Sequence, residues 1–175
     1  KSTLLACVEG LHNPAQGQVQ VGGSNVQKDP MMAKKQLGIQ LQKTALLDDL
    51  TVAELVVVYA ALYEVFLNRA QVDDLLKRFD LLEKRNTLAR RLSGGQQQRL
   101  ALAIAVANNP GIVLLDEPTS ALDPHARRAV WEIIRQLHDE GRTIVLTTHA
   151  MEEAEALCGR IAIIDRGEVV ACDTP

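Results

Sequence analysis

Residues Leu92–Asp123 read LSGGQQQRLALAIAVANNPGIVLLDEPTSALD, and this stretch decides the fold. Ser93 followed three residues later by Gln96 is a capping-box arrangement, which predicts that a helix begins there. Gly94 and Gly95 place no side chain over the amides of the first turn, where the positive end of the helix dipole lies. The stretch therefore opens with a predicted anion site.

The predicted helix is followed by a strand that ends in two acidic residues. The run 108–111 (NNPG) ends the helix, and Ile112–Leu115 is unbroken and apolar, as is typical of a strand buried on both faces of a parallel sheet. Asp116 and Glu117 come next, at the strand end where open α/β sheets bind ligands. Adjacent carboxylates are costly unless a cation or a reaction uses them. We interpret Asp116 as a Mg²⁺ ligand and Glu117 as the residue that polarises a water. The inward face of the helix is predicted at Leu100, Ala103, Ile104 and Ala107.

Four motifs together resemble the nucleotide-binding domain of ABC transporters, and the resemblance covers the whole chain in the family's order. They are LSGGQ at Leu92–Gln96, LLDEP at Leu114–Pro118, SALD at Ser120–Asp123 and TTH at Thr147–His149. The resemblance implies a P-loop NTPase-like α/β fold, with a mostly parallel sheet flanked by helices. It also implies a RecA-like ATP-binding core at residues 1–49 and 110–175. An inserted helical subdomain at 50–109 would carry the LSGGQ signature.

The amino-acid composition is compatible with a single ATP-binding domain and argues against a nucleic-acid-binding protein. The 175 residues suit one domain, and 47% hydrophobic residues are enough for a sizeable core. The net charge of −3 is spread along the chain, so we expect no nucleic-acid partner. The three cysteines lack metal-ligand spacing and are interpreted as reduced packing residues.

The first residues, Lys1-Ser2-Thr3, precede a predicted helix that Gly10 ends. In isolation such a triplet is more often surface, but it resembles the end of the family's phosphate loop. The resemblance implies that Lys1 pairs with the β- and γ-phosphates of ATP, that the Ser2 hydroxyl ligates Mg²⁺, and that Thr3 belongs to the same site. The loop glycines and the adenine-stacking aromatic are not in the sequence. We therefore expect a fragment of a longer natural chain, inactive by itself.

Gln42 follows a predicted core strand, Leu37–Leu41, and resembles the family's Q-loop glutamine, with Gln40 as the alternative. Its amide would reach Mg²⁺ or water and report the presence of γ-phosphate. In isolation, an ordinary loop glutamine is the commoner case.

Two further residues gain a role from the resemblance. Asp123 is a good N-cap for a helix that begins at Pro124, and the family's D-loop adds contact with an opposite subunit. His149 ends a predicted buried parallel strand, Thr143–Thr148, and matches the switch histidine that contacts γ-phosphate.

Residues 51–92 show helical periodicity throughout. Thr51 and Glu54 form a second capping-box candidate, opening a helix through Val58, Leu62 and Phe66. Another helix is predicted at about 71–79.

The C-terminal part is predicted to contain a short helix and a hairpin. In the helix Met151–Leu157, we expect Glu152, Glu153 and Glu155 to be solvated. Strands at Ile161–Asp165 and Glu168–Cys172 flank Arg166-Gly167, which predicts a β-hairpin.

The resemblance implies an ATPase that works as a head-to-tail dimer on the cytoplasmic face of the cell membrane, with transmembrane permease subunits as partners. Residues Ser93 to Gln96 of one subunit would then close on the ATP of the other. Segments 50–63 and 147–175 resemble ABC-2 type exporter ATPases, although Ala150 stands where that group often has an aromatic. An importer ATPase, a soluble ABC ATPase acting on ribosomes or DNA, and a nucleotide-binding module without turnover remain alternatives. The transported substrate cannot be read from these residues.

Overall fold

The computed structural model describes residues 2–40 and 46–175. The predictions for Lys1, Leu41 and Gln42 lie outside these residues. The helices are α1 (Ser2–Val8), α2 (Pro30–Lys35), α3 (Val52–Leu62), α4 (Arg69–Arg78), α5 (Gly94–Ala105), α6 (Pro124–Asp139) and α7 (Met151–Leu157). The strands are β1 (Gln20–Val21), β2 (Ser24–Asn25), β3 (Leu37–Gln40), β4 (Ile112–Asp116), β5 (Thr143–Thr147), β6 (Ile161–Asp165) and β7 (Glu168–Asp173).

The main sheet is parallel, and its strand order is β3–β4–β5. In its register Leu114 of β4 lies between Ile39 and Val145 of the two neighbouring strands. At the carboxyl ends, Asp116 is opposite Thr147. The predicted α/β class with a parallel sheet flanked by helices is confirmed, and the register brings the motifs after β4 and β5 to one edge.

The strand predicted at Thr143–Thr148 is parallel, as expected, but the prediction that it is buried is wrong. Along β5, Thr143 and Val145 are exposed and the other residues are only partly buried. Val145 lines a cavity of about 550 Å³ whose walls include residues of α1, β5, α6, α7 and β6. An apolar run shows what a strand could bury, whereas its neighbours decide how much of each face is covered.

Two helix starts follow the predicted capping chemistry. At α3, the Thr51 hydroxyl accepts from the Glu54 N–H, and the Glu54 carboxylate accepts from the Thr51 N–H. The same reciprocal pair joins Ser93 and Gln96 at α5. A third capping box at Asn68 starts α4 two residues before the predicted position. Local side-chain chemistry therefore sets where these helices begin.

The helical periodicity of residues 51–92 overestimates the helix content. The helix predicted to run through Phe66 ends at Leu62, and Phe66 lies beyond α3 with 85% of it exposed. After α4 the chain forms two short 3-10 helices, Leu82–Lys84 and Ala89–Arg91, and an isolated bridge joins Thr51 to Leu88. Phe79 and Leu81 are buried there without belonging to an α-helix, because loop side chains can fill the core as helix side chains do.

The helices pack onto the sheet through a shared core. One cluster of buried side chains includes residues of α3, α4 and α5 together with Val113 of β4 and Leu137 of α6. Gly38 of β3 allows α5 to approach closely, since a Cβ there would lie 2.0 Å from the carbonyl oxygen of Ala105. The assignment of 50–109 to a separate subdomain stays a prediction.

The C-terminal hairpin is confirmed, with β6 antiparallel to β7. Arg166 and Gly167 both have positive φ, 46° and 89°, as a two-residue hairpin turn requires. The expectation for Glu153 of α7 is wrong, because this carboxylate is buried while Glu152 and Glu155 are exposed. Among residues 2–40 and 46–175, no helix combines the length and the apolar character that crossing a bilayer requires.

Candidate active site

The centre of the site is the point where β4 ends. Asp116 is the last residue of β4, and Glu117 begins the turn that follows it. The Glu117 N–H donates to the backbone carbonyl of Thr147 at 3.0 Å, which continues the β4–β5 pairing by one step. Both acidic side chains therefore stay at the carboxyl edge of the sheet, where the sequence predicts them.

Glu117 and His149 meet across this edge. The Nδ1 atom of His149 lies 3.4 Å from Oε1 of Glu117, and the His149 side chain is 64% exposed. Glu117 has a φ of 49°, in the left-handed region that non-glycine residues seldom adopt. Such backbone strain is maintained only where the surroundings hold it, and it is concentrated at functional sites.

Thr147 is a site residue whose role the sequence reading missed, although it stands in the TTH motif. Its hydroxyl accepts from the Glu117 N–H at 3.2 Å and donates to Oδ1 of Asp116. One side chain thus holds both acidic residues. The signal that could have found it is the parallel register, which places a residue of β5 opposite Asp116.

The residues of the KST triplet that are described lie at the start of α1. Ser2 and Thr3 are both exposed, and α1 packs against β4. Just beyond the other end of α1, Glu9 is only 5% exposed. Burial, and then the negative charge of Asp116, raise the pKa of Glu9. The sequence reading missed this buried acid, because a single glutamate after a short helix carries no burial signal.

The signature turn presents its backbone to solvent. Ser93 and Gly94 are exposed, and a Cβ added to Gly94 would meet nothing within 4 Å. Gly95 lies against α6, where its Cβ would be 3.2 Å from that of Ala126. The Gln96 side chain is held in the capping box with Ser93. The turn is therefore an open helix N-terminus, with geometry suited to an anion supplied from outside.

Asp123 is the N-cap of α6, as predicted, and its carboxylate accepts from the N–H groups of His125 and Ala126 at 2.9 and 3.0 Å. The Ala126 N–H, and less strongly that of His125, hold the pKa of Asp123 below its usual value. Asp123 is exposed, so its capping role leaves the side chain accessible from solvent.

The chain matches known proteins over its whole length. The family model described as ABC transporter matches residues 1–120. The Nod factor export ATP-binding protein I of Rhizobium johnstonii is 38% identical over 177 residues, which is all of this chain and 57% of that protein. The retinal-specific phospholipid-transporting ATPase ABCA4 of Mus musculus is 39% identical over 177 residues, again all of this chain but 8% of that protein. The chain therefore spans little more than half of the first relative and a small part of the second.

Solved structures agree with the sequence matches. The dimeric post-hydrolysis state of the ATP-binding cassette MJ0796, bound to ADP and Pi, superposes with a TM-score of 0.85 and 29% identity. The match covers 99% of this chain and 79% of that one. The strand ends, the acidic pair and the exposed glycine turn thus occur in a chain whose sequence and fold are both those of ATP-binding cassettes. The chain belongs to the ABC transporter family, as an ATPase domain of the kind that these relatives share.

Proposed function

We propose that this chain binds and hydrolyses ATP through Glu117 and His149, and that hydrolysis drives transport through partner membrane subunits. The observation that carries the proposal is the 3.4 Å approach of His149 Nδ1 to Glu117 Oε1, beside Asp116 at the edge of the sheet. A general base and a hydrogen-bonding imidazole at this distance can act on one attacking water and one phosphoryl group.

Each site residue has a distinct role in this proposal. Glu117 accepts a proton from the water that attacks the γ-phosphate. His149 and Lys1 contact the γ-phosphate, while Thr3 supports the phosphate site at the start of α1. Gln42 reports whether γ-phosphate is present.

The residues of the site fit Mg²⁺. The carboxylate of Asp116 and the exposed hydroxyl of Ser2 are the hard oxygen ligands that this ion prefers, and Gln42 would add an amide oxygen directly or through water. Negative charge from Asp116 contributes to raising the pKa of Glu9, so a cation here would offset a local excess of acid. When bound, Mg²⁺ supplies charge neutralisation on the phosphates.

The signature turn is proposed to act on a second copy of the chain. Its open amides at Ser93, Gly94 and Gly95 would contact the triphosphate bound by the partner, with Gln96 fixing the turn and Asp123 at the seam. A triphosphate would contact both faces of such a head-to-tail dimer. The MJ0796 cassette is dimeric with ADP and Pi bound, which supports a dimer of this chain.

The first experiment substitutes Glu117→Gln in the natural protein that carries these residues. We expect ATP binding to persist, because the amide keeps the shape of the side chain. Hydrolysis should fall by about 10²–10⁴-fold, the usual weight of a general base. Glu155→Gln, an exposed glutamate on α7, is the matched control and should keep its turnover. Near-normal turnover in Glu117→Gln would refute the assignment.

The second experiment separates the proposed dimer contact from folding by substituting Gly94→Asp. An acidic residue in the first turn stabilises a helix, and a side chain at Gly94 meets no other atoms. The substituted protein should therefore melt no lower than the parent. ATP-dependent dimerisation, measured by light scattering in the Glu117→Gln background, should weaken at least about tenfold because like charges oppose each other. Unchanged dimerisation would exclude the turn from the interface, and Gly94→Ala controls for bulk.

A partner in the membrane is supported by the exposed apolar side chains after Thr51. Val57, Val58, Leu62 and Phe66 are between 39% and 85% exposed, in the segment 50–109 proposed as the helical subdomain. We propose that this surface receives permease subunits, which would place the protein at the cytoplasmic face of the membrane. The Nod factor export relative favours export over import. A neighbouring permease gene without a gene for a substrate-binding protein would support export, and a binding-protein gene would contradict it.

A further inference from the structure

Glu153 is a buried carboxylate that the proposed mechanism does not use. Its side chain lies on α7, and the residue is 1% exposed. Burying a carboxylate is unfavourable unless hydrogen bonds replace the water it loses. The burial of the Glu153 carboxylate must therefore be offset by interactions within the structure.

Two donors from different elements meet this carboxylate. The Thr119 hydroxyl donates to Oε1 of Glu153 at 2.6 Å, and the indole N–H of Trp131 donates to the same atom at 3.0 Å. Thr119 belongs to the turn after β4, and Trp131 belongs to α6. One oxygen atom consequently connects three separate segments.

The Thr119–Glu153 bond joins residues that lie close in sequence to Glu117 and His149. Thr119 lies two residues after Glu117, and Glu153 lies four residues after His149. The turn is therefore joined to α7 by Thr119 in the interior, and Glu117 contacts His149 in the segment between β5 and α7 at the exposed site. The interior bond is made by a residue of the turn that follows the positive φ of Glu117.

We propose that Glu153 is a positioning residue for ATP hydrolysis, acting by fixing the turn 117–120 to α7 through Thr119. The proposal rests on the roles proposed for Glu117 and His149. Reacting groups displaced by about 1 Å can lose about 10²-fold in rate, so a bond that sets their separation affects the chemical step. The bond to Trp131 ties the same carboxylate to α6, which carries neither group.

The test uses kinetics of ATP hydrolysis in the natural protein that carries these residues. Thr119→Val removes the donor that reaches the turn, while Trp131→Phe removes the donor that reaches α6. We expect Thr119→Val and Glu153→Ala to lower kcat about 10- to 100-fold, with KM for ATP within about threefold of the parent. Thr119→Ser keeps the hydroxyl that Thr119→Val removes, so its kcat should stay close to that of the parent. Trp131→Phe should keep kcat within about twofold.

This pairing separates positioning from a purely structural role. If Glu153 only stabilises the fold, Thr119→Val and Trp131→Phe should both lower the melting temperature and neither should change kcat, which would overturn the proposal. Equal losses of kcat in both would overturn it as well. If Glu153→Ala does not fold, Thr119→Val decides the question, and Glu155→Ala is the matched exposed control on α7.

Different results contradict the proposed site and the proposed role of Glu153. Full turnover in Glu117→Gln would remove the proposed site itself. Loss of turnover in Glu117→Gln together with full turnover in Thr119→Val would leave the site intact and remove only the role of Glu153.

Discussion

Thr147 holds both acidic residues of the site, through the Asp116 side chain and the Glu117 backbone N–H. Its hydroxyl accepts from the Glu117 N–H and donates to Asp116, so Thr147→Val deletes two hydrogen bonds at nearly constant volume. We expect unfolding free energy to fall by about 1–3 kcal/mol, because the Asp116 carboxylate loses its hydroxyl donor, while the Glu117 N–H keeps its bond to the Thr147 carbonyl. Urea unfolding measures this change.

The control for Thr147 lies on the same strand. Thr143 is exposed at the start of β5, so Thr143→Val should alter stability by no more than about 0.5 kcal/mol. Thr147→Ser keeps the hydroxyl and should lie close to the parent. Equal effects of Thr143→Val and Thr147→Val would contradict a specific role for the Thr147 bonds.

Glu9 should make stability depend on pH in the opposite direction from a salt-bridged acid. Its pKa is raised by burial and by Asp116, so the native state holds the Glu9 proton to higher pH than the unfolded chain does. The native state then loses stability as pH rises through that window. Glu9→Gln should raise the unfolding free energy at about pH 7 and change it little at about pH 3, below the ordinary glutamate range. Chelator in the buffer removes divalent cations, and an equal gain at both pH values would contradict the assignment.

At the scale of single residues, the sequence predicts the position of those site residues that belong to a recognisable motif. Asp116, Glu117 and His149 follow strands, and parallel strands end at one edge, so their meeting could be expected. Glu153 could not be found this way. In MEEAEAL three glutamates share a short helix, and their spacing does not say which of them faces Trp131 and Thr119.

Among the elements, the contact of α5 with β3 offers a direct test of packing. A Cβ on Gly38 would lie 2.0 Å from the Ala105 carbonyl oxygen and 2.7 Å from Pro110, so Gly38→Ala forces backbone to move. We expect a loss of about 1–3 kcal/mol, the usual cost of overpacking. Gly111→Ala, where a Cβ meets nothing within 4 Å, is the matched control. Thermal unfolding compares them, and similar melting temperatures would exclude close packing at Gly38.

The residues at which helices begin were more predictable than the neighbours against which helices and strands pack. Thr51, Ser93 and Asp123 cap α3, α5 and α6 through bonds that span only three residues, so the local sequence contains the whole signal. The exposure of β5 and the 3-10 segments after α4 depend on which elements lie alongside them. That information is distributed over residues far apart in the chain, and periodicity within one segment does not carry it.

For the whole molecule, the question is whether residues 50–109 behave as a separate unit. The predicted boundary rests on the family resemblance, and the order of helices around the signature is compatible with it. Yet the buried cluster runs from Leu76 of α4 through Leu100 of α5 to Val113 of β4 and Ile134 of α6 without interruption. An inserted segment can be distinct in function while sharing one core with its host.

A shared core predicts a single unfolding transition. Leu76→Ala, at a fully buried position in α4, should cost about 2–5 kcal/mol. Trp131, the single tryptophan, lies on α6, so its fluorescence follows the unfolding of that part of the chain. The unfolding midpoints measured by Trp131 fluorescence and by far-UV circular dichroism should both move to lower urea concentration. Leu62→Ala, 72% exposed in α3, is the matched control and should leave both midpoints nearly unchanged. If Leu76→Ala moves the dichroism transition while the Trp131 transition stays in place, residues 50–109 unfold independently, and the two parts of the chain are energetically separate despite their packing.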